Sequence, residues 1–346
     1  MVIKKTKKIK TGINGFGRIG RAFLKQAWER SDIEIVAIND LGSLESLAYL
    51  LRHDTVYRNW DHSVVIDGDN LVIDGKKIPV FAVKNPAEIP WGSVSADVVV
   101  ESTGLFTTYD SAGGHITGGA KHVVISAPAK QGIDAGVQGE TILLGVNEEL
   151  FGTCNVTSNA SCTTNASSPL IGILDQVLGI EKALLSTTHG YTASQSLVDG
   201  PSKKDLREGR AAAQNIVPSS TGAAIAVTVA YPKLTGLFDG ISLRVPVPAG
   251  SIVDITFITK RDTTADEVNE ILTNASRDPR WAGIFTVTNE PLVSSDILGS
   301  TYASIADLAM TRVVGGNLVK VLAWYDNEWG YTHTLVEHVI KAGNSK

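Results

Sequence analysis

Residues 9–40 place the tightest constraint on the fold. IKTGIN (9–14) reads as a short strand, and GFGRIG (15–20) follows at once. The next stretch carries Ile19, Phe23 and Ala27 on one face at helical spacing, and IEIVAIND (33–40) is a β-branched run ending in Asp40. Strand, glycine turn, helix and strand make one βαβ unit. Gly15, Gly17 and Gly20 fit G-x-G-x-x-G: the first permits the tight turn, the second lets a pyrophosphate approach the backbone, and the third lets helix and strand pack closely. A helix N-terminus then faces the anion. Asp40 stands 20 residues beyond Gly20, where a carboxylate accepts hydrogen bonds from adenosine ribose hydroxyls and repels a 2′-phosphate. The pattern predicts a dinucleotide site that favours NAD over NADP.

Later segments extend the unit. Asp67-Gly68 and Asp74-Gly75 mark hairpins, and ADVVVES (96–102) and KHVVISAP (121–128) are apolar runs of the kind buried in a parallel sheet. Beyond residue 150 the pattern changes. LLSTTHGYT reads as a strand ending in a loop, and 196–224 is a long loop rich in glycine and proline. Residues 240–260 hold two strands, 263–277 a helix, and 317–343 a strand, a loop and a closing helix that returns to the first half. The expected fold is α/β: a Rossmann-like, doubly wound parallel sheet plus a second α+β catalytic domain. The expected boundaries are 1–161 with 328–346 for the first, and 162–327 for the second. A chain of 346 residues fits two domains.

Charge and composition narrow the class. A net charge of −5 with no long basic run in the body argues against nucleic acid as the main partner. No apolar run approaches the roughly 20 residues that span a bilayer. The lysine-rich start, MVIKKTKKIK, reads as a solvated tail, without the apolar stretch of a signal peptide. Two cysteines make no disulfide framework, and a cytoplasmic, reducing location fits.

One of those cysteines sits in SNASCTTNASS (158–168). Cysteine packs as a small hydrophobe, yet Cys162 is flanked by Ser161, Thr163, Thr164 and Asn165, residues that suit turns and helix N-termini. A thiol there can be held partly as thiolate. The helix that follows either starts several residues on, with Pro169 in its first turn, or begins near Cys162 and tolerates the proline. Of seven histidines, His189 is the best placed base, where a strand runs out into a loop; the other six lie in segments that read as surface or helix. Cys154 reads as a buried packing residue. Arg244 lies in an apolar strand, where a charge needs a partner. Thr192, the small-residue turn PSSTGAA (218–224), Arg207 and Arg210 suggest a place for phosphate groups.

NGFGRIGR, VVVESTG, SNASCTTN, NIVPSSTGAA, RVPVP, PLVSSD and WYDNEWGY occur in this order between about Ile9 and His338. Together they resemble phosphorylating glyceraldehyde-3-phosphate dehydrogenases. The resemblance implies Cys162 as nucleophile and His189 as base. It implies NAD held at Gly15, Gly17, Arg18, Ile19 and Gly20, with Asp40, Thr103, Ser126, Asn327 and Tyr331. It implies substrate phosphate at Thr192 and Arg244, and inorganic phosphate at Ser161, Thr163, Thr221 and Gly222, with either Arg207 or Arg210. It further implies a homotetramer that turns an aldehyde phosphate, phosphate and NAD into an acyl phosphate, with no membrane and no metal involved. The alternatives are an erythrose-4-phosphate dehydrogenase and a non-catalytic NAD-binding or RNA-binding protein. The chain departs from the family's usual pattern at Ala166, where a second cysteine is common, at Ile225, at Ser194 and around THGYTASQ.

Overall fold

The computed structural model describes residues 8–132, 136–202 and 205–345; the predicted N-terminal tail, up to residue 7, lies outside them. The elements run, in chain order, β1 Ile9–Asn14, α1 Arg18–Trp28, β2 Ile33–Asn39, α2 Leu44–Arg52, β3 Val64–Asp67, β4 Asn70–Ile73, β5 Lys76–Phe81, β6 Val98–Glu101, α3 Tyr109–Thr117, β7 His122–Ile125, β8 Gly139–Thr141 and β9 Val156–Ser158. They continue with α4 Cys162–Leu178, β10 Ile180–Gly190, β11 Val217–Ser220, α5 Ala223–Ala230, β12 Phe238–Val245, β13 Ser251–Thr259, α6 Ala265–Ala275, β14 Phe285–Thr288, β15 Ser304–Asp307, β16 Arg312–Val314, β17 Leu318–Tyr325 and α7 Trp329–Asn344.

Two compact units result. One comprises the chain up to Ile142, Glu148–Ala160 and the residues from Thr332 on; the other comprises Leu143–Asn147 and Ser161–Tyr331. The sequence reading set its boundaries at 161/162 and 327/328 and kept 143–147 with the first half.

Among the described residues the first unit carries a nine-stranded sheet in the order β3-β4-β5-β2-β1-β6-β7-β9-β8. Its central strands β5, β2, β1, β6, β7 and β9 are parallel, and β3 and β4 add the two antiparallel hairpins at the edge. A parallel sheet must be covered on both faces, and β6 shows how. All four of its residues are buried. Val98 and Val100 join Phe23, Leu24 and Leu51 with Leu335, Val336 and Val339 of α7 on one face, while Val99 meets Trp91 and Ala37 on the other. The closing helix thus returns to the first unit's core. The order of strand addition reverses between β1 and β6, β2 lying on one side of β1 and β6 on the other, so the carboxyl ends of these two parallel strands open a crevice at the switch point. Gly15, Asp40, Thr103 and Ser126 follow the ends of β1, β2, β6 and β7 there.

The second unit's sheet has the order β11-β12-β10-β13-β17-β15-β14, with β16 paired to β17. Its β13 alternates buried and half-buried positions throughout, the period of a strand with one face on a core. That core gathers Leu170, Ile171 and Leu174 of α4 with Leu185, Val253, Ile255, Phe257 and Tyr325.

Two of the histidines expected in surface or helical segments lie in helices and are buried. His115 and His338 are fully buried. Trp91 Nε1 donates to His115 Nδ1 (2.9 Å), so His115 Nε2 carries the proton and donates to Glu101 Oε2 (3.0 Å). His338 lies against the Thr157 hydroxyl (Nε2, 2.8 Å) and Asn159 Oδ1 (Nδ1, 3.2 Å). Cys154 is half-buried rather than buried, with Sγ 3.3 Å from the Val156 carbonyl.

Burial pushes His338 down to about 3. The unfolded chain therefore binds a proton at this side chain below its ordinary value while the folded chain does not, and stability falls with pH between about 6.5 and 3. Urea midpoints measured across that window should drop on acidification in the wild type. The slope should be shallower in His338→Gln, whose amide keeps hydrogen-bonding capacity and does not titrate.

Candidate active site

Ser161 settles where α4 begins. Its extended backbone and side chain form the N-cap, accepting from the Thr164 N–H at 3.1 Å, and Cys162 is the first helical residue. The hydroxyl run is a set of local ties. Ser161 Oγ also meets Thr164 Oγ1 (2.8 Å), Asn165 Nδ2 donates to the Ser161 carbonyl (3.0 Å), and Ser167 Oγ donates to the Thr163 carbonyl (2.7 Å). Pro169 lies inside the helix. A mid-helix proline costs on the order of 3 kcal/mol; burial of Leu170, Ile171, Leu174 and Leu178 offsets it. Just ahead, Ala160 takes the left-handed region at φ 53°, an uncommon conformation for a non-glycine residue and one that clusters at functional turns.

Cys162 Sγ lies 3.4 Å from His189 Nε2. His189 stands next to last in β10, and β10 pairs in parallel with β12 so that His189 is directly opposite Arg244. The guanidinium Nη1 is 2.6 Å from His189 Nδ1, and the same Nδ1 is 2.6 Å from the Gly190 carbonyl. Arg244 therefore finds its expected partner in the imidazole. Behind them Tyr325 hydroxyl bonds to Thr163 Oγ1 (2.9 Å) and Thr187 Oγ1 (2.8 Å), and its ring meets His189 edge-on at 5.9 Å.

Electrostatics set the protonation states. Burial, with the Arg244 charge second, pushes His189 down to about 3. Burial also pushes the Cys162 thiol up, against the pull of Arg244 and of hydrogen bonds from Thr163. Burial thus favours the neutral form of each group, working against the helix start and Arg244, which favour thiolate.

The first unit's crevice fits a dinucleotide. Gly15 has φ 91°, and a Cβ on it would stand 2.6 Å from the Thr103 nitrogen; one on Gly20 would stand 2.1 Å from the Gly15 carbonyl oxygen. Gly17 differs: it caps α1 without a side-chain bond, and nothing lies within 4 Å of where its Cβ would be. That open cradle at the start of Arg18 and Ile19 is where a pyrophosphate needs backbone access. Asp40 accepts from Phe16 N–H (2.6 Å) and Gly42 N–H (2.8 Å), tying the strand end to the glycine turn. Glu101 Oε1 accepts from the Thr103 N–H (2.9 Å) and from its hydroxyl. Ser126 is half-buried at the end of β7, its N–H on the Glu101 carbonyl.

In the second unit, Asn327 Oδ1 accepts from Gly250 N–H (3.0 Å) and Ser251 Oγ (2.9 Å). Only the oxygen can accept a backbone N–H, so the amide orientation is fixed and its NH₂ is the group offered to a ligand. Tyr331 is buried in the first turn of α7.

The phosphate candidates are not drawn into one cluster by their own contacts. Thr192 Oγ1 meets Ser194 Oγ at 3.0 Å. Thr221 Oγ1 accepts from the Ala223 N–H at 3.2 Å, and Gly222 caps α5 without a side-chain bond. Thr163 is buried, with its hydroxyl turned to Tyr325. Arg207 is forked onto Asp205, and Arg210 Nε meets Asp199 at 3.0 Å. Sequence reasoning missed Glu101, Gly190, Ser251, Thr187 and Tyr325. Tyr325 in WYDNEWGY, Glu101 in VVVESTG, and Thr187 and Gly190 in LLSTTHGYT lie within stretches already singled out; their roles went unread because they depend on pairings between distant segments.

Ser161→Ala removes the cap of α4, and a loss of about 1 kcal/mol is expected in urea unfolding. Ser161→Asp, which also caps, should restore most of it; equal stability of the alanine variant and the wild type contradicts the cap.

Among the described residues no helix is long and apolar enough to cross a membrane, and no group of three or more His, Cys, Asp or Glu is placed to hold a metal ion. Comparison with known proteins adds a family. Residues 9–109 match the family described as "Glyceraldehyde 3-phosphate dehydrogenase, NAD binding domain", and residues 161–327 match "Glyceraldehyde 3-phosphate dehydrogenase, C-terminal domain". The chain is 48% identical over 339 residues to glyceraldehyde-3-phosphate dehydrogenase 2 of Streptomyces avermitilis, covering 97% of this chain and 99% of that protein. It is 45% identical to glyceraldehyde-3-phosphate dehydrogenase of Neurospora crassa (95% and 96% covered) and 44% identical to that of Geobacillus stearothermophilus (95% and 96%).

Proposed function

This chain belongs to the glyceraldehyde-3-phosphate dehydrogenase family of NAD-dependent oxidoreductases, and from that premise we propose how its own residues carry out the reaction. Cys162 Sγ adds to the aldehyde carbon of glyceraldehyde 3-phosphate and forms a thiohemiacetal. His189 Nε2, 3.4 Å from the sulfur, takes the hydroxyl proton as that carbon is oxidised to a thioester, general-base work worth roughly 100- to 10,000-fold. NAD, when bound, supplies the two-electron acceptor this oxidation requires. Inorganic phosphate then attacks the thioester carbon, the C–S bond breaks, and the acyl phosphate leaves with Cys162 regenerated as thiolate. The single observation that carries this reading is the Cys162–His189 contact at the start of a capped helix.

The holding groups are assigned from the family resemblance, supported for the dinucleotide by the open glycine turn. Gly17, Arg18 and Ile19 present open backbone to the pyrophosphate, Asp40 stands at the adenosine ribose, and Thr103 and Ser126 line the crevice. The Asn327 NH₂ is set to receive a carboxamide oxygen, with Tyr331 beside it. Arg244 and Thr192 hold the substrate phosphate. Ser161, Thr163, Thr221 and Gly222 hold inorganic phosphate, with Arg207 or Arg210. The enzyme works in the cytoplasm.

Cys162→Ala should abolish NADH formation from glyceraldehyde 3-phosphate while NAD still binds, read by fluorescence titration. Turnover by that variant at near-wild-type rate sinks the assignment. Running erythrose 4-phosphate beside glyceraldehyde 3-phosphate in the wild type decides between the two aldehydes.

Copies of the chain assemble as a homotetramer through the open face of the second sheet. There Leu184 is 67% exposed and Ile241 53%, and a concavity of about 440 Å³ is lined by Leu184, Leu237, Phe238 and Leu318. Contiguous exposed apolar surface of this kind marks an interaction site. Leu184→Glu with Ile241→Glu should lower the mass measured by light scattering; an unchanged mass removes this face from the interface.

A further inference from the structure

Thr192 stands two residues beyond the end of β10, in the turn that leads into the long loop. Both of its backbone polar groups go to one residue. The Gln195 N–H donates to the Thr192 carbonyl at 3.0 Å, the closing bond of a β-turn. The Gln195 side chain then folds back, and its Oε1 accepts from the Thr192 N–H at 3.3 Å. An amide can accept a backbone N–H through its oxygen alone, so the orientation of this amide is fixed. That orientation is costly. Gln195 is 9% exposed, and its Nε2 is buried with no hydrogen-bond partner among the described residues. An unmatched buried donor is destabilising. A β-turn closes on its backbone bond, so the side-chain bond serves something other than the turn.

What it fixes is the direction of the Thr192 side chain. With the N–H and the carbonyl both held, the Thr192 backbone cannot rotate freely, and a β-branched side chain has few χ1 choices. The hydroxyl is thereby aimed. Thr192 Oγ1 lies 3.0 Å from Ser194 Oγ. Each hydroxyl carries one proton, so one proton is used between them and the other remains to be donated. The turn also has fixed ends. The Tyr191 N–H donates to the Val247 carbonyl at 3.0 Å, and the Ser196 N–H to the Glu208 carbonyl at 3.1 Å.

We infer that Gln195 is a positioning residue for the phosphate of the substrate: it clamps the Thr192 backbone so that the hydroxyl already stands in place when a phosphate monoester reaches Arg244. The inference rests on the reading of Thr192 and Arg244 as ligands of that phosphate, and adds a residue that acts through Thr192. The two ligands differ in what holds them. Arg244 is placed by the pairing of β12 with β10. Thr192 lies outside any strand, beside the exposed Ala193 and Ser194, and needs a tie of its own. Donors fixed before binding lose little freedom when the ligand arrives, and that difference appears as affinity.

The test compares two aldehydes. The quantity read is kcat/KM for glyceraldehyde 3-phosphate divided by kcat/KM for glyceraldehyde, which lacks the phosphate. A general loss of folded enzyme cancels in this ratio. Thr192→Ala lowers it about tenfold, the scale of one hydrogen bond to a charged group. Gln195→Leu, similar in bulk and without an acceptor for the N–H, lowers it by a similar factor. The double variant falls no further than Thr192→Ala, because no hydroxyl is left to aim. An unchanged ratio in Gln195→Leu beside a drop in Thr192→Ala overturns the clamp and leaves the phosphate reading standing. An unchanged ratio in Thr192→Ala overturns both. Losses that add in the double variant mark a merely structural residue and also overturn the clamp. A second measurement needs no variant. In the wild type, deuterium exchange at the Thr192 amide is slower than at the Ala193 amide; equal rates contradict the bond to Gln195.

Discussion

The chemistry of this protein depends on one parallel strand pair. Because β10 and β12 run side by side in register, His189 and Arg244 are direct neighbours on the same face. Neither position is tolerable without the other group. A guanidinium in an apolar strand needs a partner, and an imidazole this deeply buried must stay neutral or lie beside an acid. The pairing satisfies Arg244 by making the ring an acceptor. On the other side of the same ring, one carbon away through Cε1, Nε2 faces the sulfur at 3.4 Å. The surroundings of the thiol are therefore set by a strand register formed with residues more than fifty positions further along the sequence.

How much of this was legible beforehand follows from how local each interaction is. The glycine turn could be read because strand, turn and helix follow one another directly, with Gly15 at φ 91° and open space at Gly17; only the close approach of Gly15 to Thr103 after β6 is distant in sequence. The hairpins at Asp67-Gly68 and Asp74-Gly75 are equally local. The start of α4 was ambiguous because two local rules conflict there. Proline favours the first turn of a helix, while serine followed by threonine and asparagine favours a cap. Burial of the apolar stripe beyond Pro169 decided for the longer helix. The helices of His115 and His338 were legible but their burial was not, because nothing near them in sequence reveals Trp91, Glu101, Thr157 or Asn159, the groups that satisfy the buried rings. Asn327 was identified by likeness, but its orientation comes from Gly250 and Ser251 on another strand.

The first unit shows the same economy around Glu101. A carboxylate buried at the end of β6 is an expense unless every lone pair is used. Here Asn14 Nδ2 (2.6 Å), His115 Nε2 (3.0 Å), Thr103 N–H (2.9 Å) and the Thr103 hydroxyl all donate to it. Asn14 in turn accepts from Asn39 at 2.7 Å. One acid thus links the ends of β1, β2 and β6, the three strands whose tips form the dinucleotide crevice. The rigidity of that crevice comes from a hydrogen-bonded polar core rather than from the glycines, which only provide clearance.

A cysteine at the first position of a helix and a cysteine buried against an imidazole are opposing designs when each is taken alone. The helix start favours thiolate; burial disfavours it. If the sulfur were permanently ionised, any small electrophile reaching the site would consume it. If it were permanently protonated, the aldehyde would find no nucleophile. The hydroxyls around Cys162 do not resolve this, because their hydrogen bonds are spent on the backbone of α4 and on Tyr325. The charge nearest the pair is Arg244, which meets His189 Nδ1 at 2.6 Å and pulls the thiol down against its burial.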